Sequence, residues 1–384
     1  MNIEFRKAIY NLDKILAILG LALALTLIIT SPIRGRPMYA VVGIILLFAC
    51  IAYLYIGRGK EFPSISELPR TRSLYLLLNI IFFSAFLFNI LSLYLRPDPY
   101  IRPMNYFISI VLMVGILTVE ILLLSRNKTY THFILTKIML IPLSLVGSQL
   151  LIFPTLIGDD PWWHQWFIQG MLDSGFIPGG SSYSWLPTMH LVGGETSLVT
   201  GLDYKMAAIF SLTLIPMVCL LLFIFLLGRF IFNAKVGLLA VLLLGTSDVF
   251  LQMSSRIMPN TFGIFMIPTI IYLLFKLRPN KPLRAIWLSI LLMVTVILTH
   301  TVVSMWLAIL LFALWAGFEV FNRIYNKRNA AVTFDITILF VLAMLGWWTY
   351  ASGHIITLAR FIEWGFGSDF WPGSDPVYGG ITQY

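Results

Sequence analysis

Gly158-Asp159-Asp160-Pro161-Trp162-Trp163-His164 opens a stretch that runs to Lys205 between two apolar runs, 133–153 and 206–227. The flanking runs are long enough to cross a bilayer, which takes roughly 20 mostly apolar residues. Between Gly158 and Tyr204 there is no Lys or Arg, while two adjacent carboxylates begin a helix signal with a histidine one turn on. Ionisable groups at a membrane boundary are costly to desolvate and tend to be functional. The stretch therefore reads as a long loop on one membrane face, and as the place where the chemistry sits.

Working outward, the rest of the chain has the same character. Apolar residues make up 59% of 384, charged residues 11%, and mean hydropathy is +0.89. A soluble domain carries about 25% charged residues. Eleven runs qualify as spans: 15–30, 38–56, 73–95, 106–124, 133–153, 206–227, 236–250, 261–277, 285–298, 302–321 and 332–350. In lipid their backbones must bond internally, so they are expected to be helices. The fold class is thus an all-α integral membrane protein with about eleven transmembrane helices. The seventh and ninth runs are short, as if packed against neighbours rather than lipid.

Orientation follows from the cations. With the N-terminus in the cytoplasm, only Arg34, Arg36, Arg96, Arg102, Lys205, Arg256 and Arg360 fall outside, against nineteen of the 26 Lys and Arg inside. The Asp-rich loop and the C-terminus then face away from the cytoplasm. The net charge of +9 is explained by this bias, and no basic cluster is long enough for nucleic acid. Cys50 and Cys219 lie within spans, so no extracellular disulfide is implied. The sequon Asn127-Lys128-Thr129 falls inside and is expected to be unused. The first span has a basic prelude but no small-x-small cleavage site, and reads as a retained helix. Glu120 and Asp335 lie near inner span ends, where snorkelling accounts for them as well as a functional role does.

Three parts are expected: a four-helix N-terminal membrane block, 1–132; a membrane module, 133–350, carrying the outer loop 158–205; and an outer tail, 351–384. The tail ends Tyr378-Gly379-Gly380-Ile381-Thr382-Gln383-Tyr384, which reads as interrupted rather than closed. In the loop, Asp160 suits a helix N-cap and Pro161 the first helical position. Residues 162–172 continue as an amphipathic interfacial helix with Trp162, Trp163, Trp166 and Phe167 suited to the aromatic belt. Asp160 and His164 stand at i and i+4, so they can lie side by side. The bland alternative is that Asp160 only caps and the tryptophans only anchor.

The run Asp159-Asp160-Pro161-Trp162-Trp163-His164, then Gly175-Phe176-Ile177-Pro178, then Trp185-Leu186-Pro187-Thr188-Met189-His190, resembles the first outer loop of GT-C glycosyltransferases. Leu198-Val199-Thr200-Gly201-Leu202, Gly228-Arg229-Phe230, Val236-Gly237-Leu238-Leu239-Ala240 and Ser254-Ser255-Arg256-Ile257-Met258-Pro259-Asn260 continue the likeness. They are similar to the protein-mannosyltransferase-like and oligosaccharyltransferase-like branches over residues 133–350. The resemblance implies an inverting transferase that moves a hexosyl or pentosyl group from a polyprenyl-phosphate donor to a lipid, glycan or protein acceptor at the extracytoplasmic face. It assigns Asp160, with Asp159 and His164, to catalysis, the carboxylate accepting the proton of the acceptor hydroxyl. Arg256, His300 and Arg360 become candidates for the donor phosphate, with His354 nearby. His190 and Tyr183 become candidates for acceptor contacts.

One departure matters. Arg256 is followed by Ile257-Met258-Pro259-Asn260-Thr261-Phe262 with no metal-binding acid, and no Trp-Trp-Asp motif occurs. A metal-independent enzyme using a lipid-linked monosaccharide is favoured, with no cofactor. The rivals are a transporter or flippase of a lipid-linked solute, and a non-catalytic polyprenyl-lipid-binding protein. A transporter would want ionisable groups at mid-membrane depth and a repeated half.

Overall fold

A computed structural model describes residues 17–31, 38–56, 71–98, 100–124, 128–276, 283–325 and 331–366. The basic N-terminal prelude, Asn127 of the sequon and the end of the tail (367–384) lie outside the described residues. So do several of the cations counted for orientation, among them Arg34, Arg36, Lys60 and Arg278. Every element among the described residues is helical.

The chain divides into Met1–Thr71 and Arg72–Tyr384. In the first unit, α1 (Ala17–Ser31) and α2 (Met38–Ile56) meet through small residues. A Cβ on Gly43 would come within 2.9 Å of the Ala24 carbonyl oxygen, so glycine sets how closely the backbones approach.

The second unit opens with α3 (Thr71–Tyr94), α4 (Met104–Leu124) and α5 (Lys128–Leu150). Two polar networks tie these helices together. Lys137 and Glu120 form an ion pair, and the Lys137 ammonium also donates to Asn79 Oδ1 at 2.9 Å. It lies 5.7, 5.2 and 5.3 Å from the rings of Tyr75, Phe82 and Phe133. Glu120 is 0% exposed and Lys137 1%. Glu120 therefore does not snorkel: the partner supplied by α5 holds it inside the helix group. Asp335, by contrast, is exposed in the first turn of its helix, where its charge suits the dipole. The second network joins Asn89, which donates to the Tyr106 carbonyl (3.0 Å) and to Ser109 Oγ (2.8 Å) and accepts from Ser144 (2.8 Å).

The outer loop forms α6 (Asp160–Ser174), a 3-10 turn (Ser182–Trp185) and α7 (Thr188–Thr200). Next comes one continuous span, Tyr204–Ile231, built of α8 (Tyr204–Ala208), a π-helical segment (Ile209–Leu214) and α9 (Ile215–Ile231). Pro216 has no N–H to continue the α ladder, which accounts for the widened turn before it. At the far end Asn233 Oδ1 accepts from Val236 N–H (3.0 Å) and starts α10 (Ala234–Gly245). Here α9 and α10 touch through glycines: a Cβ on Gly228 would sit 2.7 Å from Gly237 Cα. This contact gives the Gly228 and Gly237 motifs a packing role.

The remaining elements are α11 (Asp248–Ser254), α12 (Pro259–Lys276), α13 (Leu283–Ile297), α14 (Thr301–Tyr325), α15 (Phe334–Trp347) with a π-helical end (Trp348–Ser352), and α16 (Ile355–Phe366). Seven helices among the described residues are long and apolar enough to cross a membrane, or eight if α10 and α11 are one broken span. The chain is an integral membrane α-helical protein of several passes. Among the described residues each of the eleven apolar runs lies mainly on helix. The seventh run is broken: its helices α10 and α11 are bent by 64°. The ninth is short, with an apolar stretch of only Ile286–Ile297.

Candidate functional site

Two contacts fix the loop over the later helices. Thr188 donates its N–H (3.2 Å) and its hydroxyl (3.0 Å) to the carbonyl of Leu298, just past the end of α13. Trp347 donates its indole N–H to the Trp185 carbonyl at 3.0 Å. The loop's terminal cation, Lys205, donates to the Phe153 carbonyl and closes the neck. Within the loop, α6 lies on α7 because Gly193 and Gly194 have no side chains to obstruct Ile168.

These contacts gather four histidines that are far apart in sequence. Nδ1 of His164 is 2.9 Å from Nε2 of His190. His300 is near enough to act on the charge state of His164, and His354 on that of His300. Around the first pair, Tyr183 packs at ring distances of 5.1 and 5.4 Å, Phe167 at 4.7 Å from His190, and Trp163 at 5.2 Å from His164. His190 is 0% exposed and His164 3%, whereas His300 and His354 are only half-buried. The cluster is sealed at His190 and opens towards His300 and His354.

Burial decides the charge. It pushes His164 down to about 4, helped by His300. It pushes His190 down to about 3, helped by His164 and opposed by the backbone of Leu186. Nδ1 of His190 nevertheless makes no hydrogen bond of acceptable geometry. His300 is lowered to about 4 by burial and by His354, and His354 is lowered by burial. Tyr183 is raised to about 12 by burial and by the Asp160 carboxylate. At neutral pH the cluster is therefore uncharged, able to donate and accept hydrogen bonds but not to supply a cation.

The acids are placed differently from the sequence expectation. The helix begins one residue early: Asp159 occupies the N-cap position in helical conformation (φ −80°, ψ −45°) and neither carboxylate caps through its side chain. Asp160 lies in the first turn and Pro161 follows it. Both acids are exposed. The i, i+4 spacing does not produce an Asp160–His164 pair, because His164 turns inward to His190. The ion pairs among the described residues are Lys137–Glu120 and Arg323–Glu319. Trp162, Trp163 and Trp166 are exposed on α6, while Pro161, His164, Phe167 and Ile168 are buried.

His164, His190, Tyr183 and His300 are thus brought together, and Asp160 is close enough to act on Tyr183. Arg256 and Arg360 are exposed, and no contact joins either to the cluster. Sequence reasoning missed the His164–His190 bond, which joins two helices of the loop across 26 residues. Among the described residues no group of three or more His, Cys, Asp or Glu is placed to hold a metal ion. An apolar groove of about 90 Å³ lies between α12, α13 and α15, lined by Ile286, Ile290, Met293, Ile297, Leu339 and Phe340 among others. No protein-family model, no curated protein and no solved structure matches the chain.

Proposed function

We propose that the chain is a membrane glycosyltransferase of the GT-C type, transferring a hexose or pentose from a polyprenyl-phosphate donor to an acceptor hydroxyl at the extracytoplasmic face. One observation carries the reading. Asp159 and Asp160 are exposed carboxylates at the start of α6 that neither cap it nor pair with a cation. They stand at the edge of a neutral wall of histidine and aromatic rings. A carboxylate so placed is free to take the proton of an attacking hydroxyl. The flanking aromatic faces of Trp162, Trp163 and Tyr183 suit the apolar faces of a sugar ring.

On this reading the eleven apolar helices are the spans. The loop 158–205 and the C-terminus are outside, α6 lies at the interface through its tryptophans, and the reaction inverts at the anomeric carbon without a metal. The groove along α13 supports a lipid-linked donor. It equally supports a second reading, a non-catalytic polyprenyl-lipid-binding protein. The transporter reading gains an intramembrane ion pair in Glu120–Lys137, but that pair is closed by its own partners. The deciding experiment offers purified protein synthetic prenyl-phosphate hexoses and pentoses and measures sugar release or transfer. Turnover that depends on Asp160 is expected. Binding without turnover across the panel would favour the lipid-binding reading.

A further inference from the structure

The turn between α3 and α4 reads Leu95-Arg96-Pro97-Asp98-Pro99-Tyr100-Ile101-Arg102-Pro103 and has no part in the site described above. It lies on the same side as the loop 158–205. Arg102 donates from Nη2 to the Leu145 carbonyl and to Gln149 Oε1, both at 3.3 Å, near the end of α5. Tyr100 packs its ring 5.2 Å from that of Phe153, whose carbonyl accepts from Lys205 at the neck of the loop. The turn precedes residue 133, so it falls outside the stretch that carries the transferase likeness.

Two arginines stand on this turn with no carboxylate to pair with. Among the described residues the ion pairs are elsewhere, at Lys137–Glu120 and Arg323–Glu319. The one acid of the turn, Asp98, turns its Oδ1 to the Tyr100 N–H at 2.7 Å. Nε of Arg96 is buried without a hydrogen-bond partner. A buried donor left unmet is costly, and a guanidinium carries five N–H donors. Arg102 is half-buried and held by one edge, with its charge centre 5.8 Å from the Tyr106 ring. The bonds at that edge are long and run to neutral acceptors, so the cation is not neutralised.

What would neutralise the pair follows from its surroundings. Leu95, Tyr100, Ile101 and Met104 are exposed on and beside the turn. Both α3 and α4 are long and apolar enough to cross a membrane, and the turn joins their ends. Apolar side chains so placed sit at the edge of the hydrocarbon, which puts arginine at the depth of the head groups. A guanidinium matches a phosphate with two parallel N–H···O bonds. We propose that Arg96 and Arg102 form a seat for the head-group phosphate of an anionic bilayer lipid, on the face that carries the loop 158–205. The exposed apolar residues of the turn then lie against its chains. This lipid is a constituent of the bilayer, held whether or not the chain transfers a sugar.

The test is native mass spectrometry of the full chain in detergent, with phosphatidylglycerol or phosphatidylcholine added at equal concentration. The first phosphatidylglycerol is expected to bind at least about tenfold more tightly than the first phosphatidylcholine. Arg96→Gln and Arg102→Gln should each lower that preference about fivefold, the usual worth of one cation towards an anionic membrane surface. Arg96→Lys keeps the charge without the planar fork and should fall in between. Because Nε of Arg96 bonds to nothing in the fold, Arg96→Gln should keep its melting temperature in lipid-free detergent, which separates loss of the seat from loss of the fold. Arg229→Gln, at an exposed position near the far end of the span Tyr204–Ile231, should leave the preference unchanged. Equal binding of the two lipids by the parent chain would overturn the seat. So would a full preference surviving in both glutamine variants. Displacement of the lipid by inorganic phosphate at the same concentration would overturn the lipid as occupant and leave a site for a soluble anion.

Discussion

His164 and His190 share one proton-bearing hydrogen bond: Nδ1 of the first lies 2.9 Å from Nε2 of the second, and both rings are almost fully buried. One ring donates and the other accepts, which two neutral imidazoles can do and two imidazolium ions cannot.

The pair should make the protein acid-sensitive. Folded, His164 and His190 titrate at about 4 and about 3, against an ordinary value of 6.5. Above 6.5 both rings are neutral in the folded and unfolded chain, and their contribution to stability is complete. As pH falls from 6.5 towards 4 the unfolded chain takes up protons that the folded chain refuses, so stability drops. Thermal unfolding in detergent should be flat from pH 8 to 7 and lose ground steadily below about 6.5. The decline should be shallower in His164→Asn. An identical decline in that variant would show that other groups cause it.

Thr188 should matter more for activity than for stability. Thr188→Val removes the hydroxyl bond to the Leu298 carbonyl and keeps the N–H bond. Such a change costs about 1 kcal/mol. It also loosens the contact that carries α7, and with it His190, to the chain segment ending in His300. Turnover should fall several-fold with little change in melting temperature. Loss of both in proportion would reduce Thr188 to an ordinary packing contact.

Glu120 and Lys137 should depend on each other. Removing one partner of a buried pair leaves an uncompensated charge, at a cost of about 3–5 kcal/mol. Glu120→Gln or Lys137→Met alone should sharply lower the yield of folded protein. Glu120→Gln combined with Lys137→Met should recover much of it, since the bare charge is gone. A double variant as poor as the sum of the singles would mean that the two residues act separately.

The membrane class and helix positions were legible because an apolar run must be a helix in lipid, whatever it packs against. What the runs do to one another was not legible. The 64° bend between α10 and α11 leaves no mark in hydropathy. Glu120 looked like a snorkelling acid because its partner, Lys137, lies on another helix and is 17 residues away. At the site, a helix start next to Pro161 could be read locally, since it is a short-range signal, but the capping role read for Asp160 is not seen. The histidine cluster could not be read locally. It depends on Thr188 reaching Leu298 and Trp347 reaching Trp185, across 110 and 162 residues. The Asp160–His164 pairing failed for the same reason, as His190 from another helix takes the His164 ring.

Asp160→Asn should abolish transfer and leave folding intact. Asp160 makes no capping bond through its side chain and pairs with no cation, so the protein loses no structural contact in the change. Asn is nearly isosteric and cannot accept a proton as a carboxylate does. A general base contributes about 10²–10⁴-fold in rate, well within reach of a transfer assay. Because no cap is at stake, Asp160→Ala should fold as well as Asp160→Asn and be equally inactive. That equality separates a base from a cap, since a capping aspartate tolerates Asn and loses about 1 kcal/mol on going to Ala. Asp159→Asn should reduce turnover less, through the local field. If Asp160→Asn stays active while Asp159→Asn does not, the base is Asp159. If both stay active, the carboxylates are not the source of catalysis and the transferase reading falls with them.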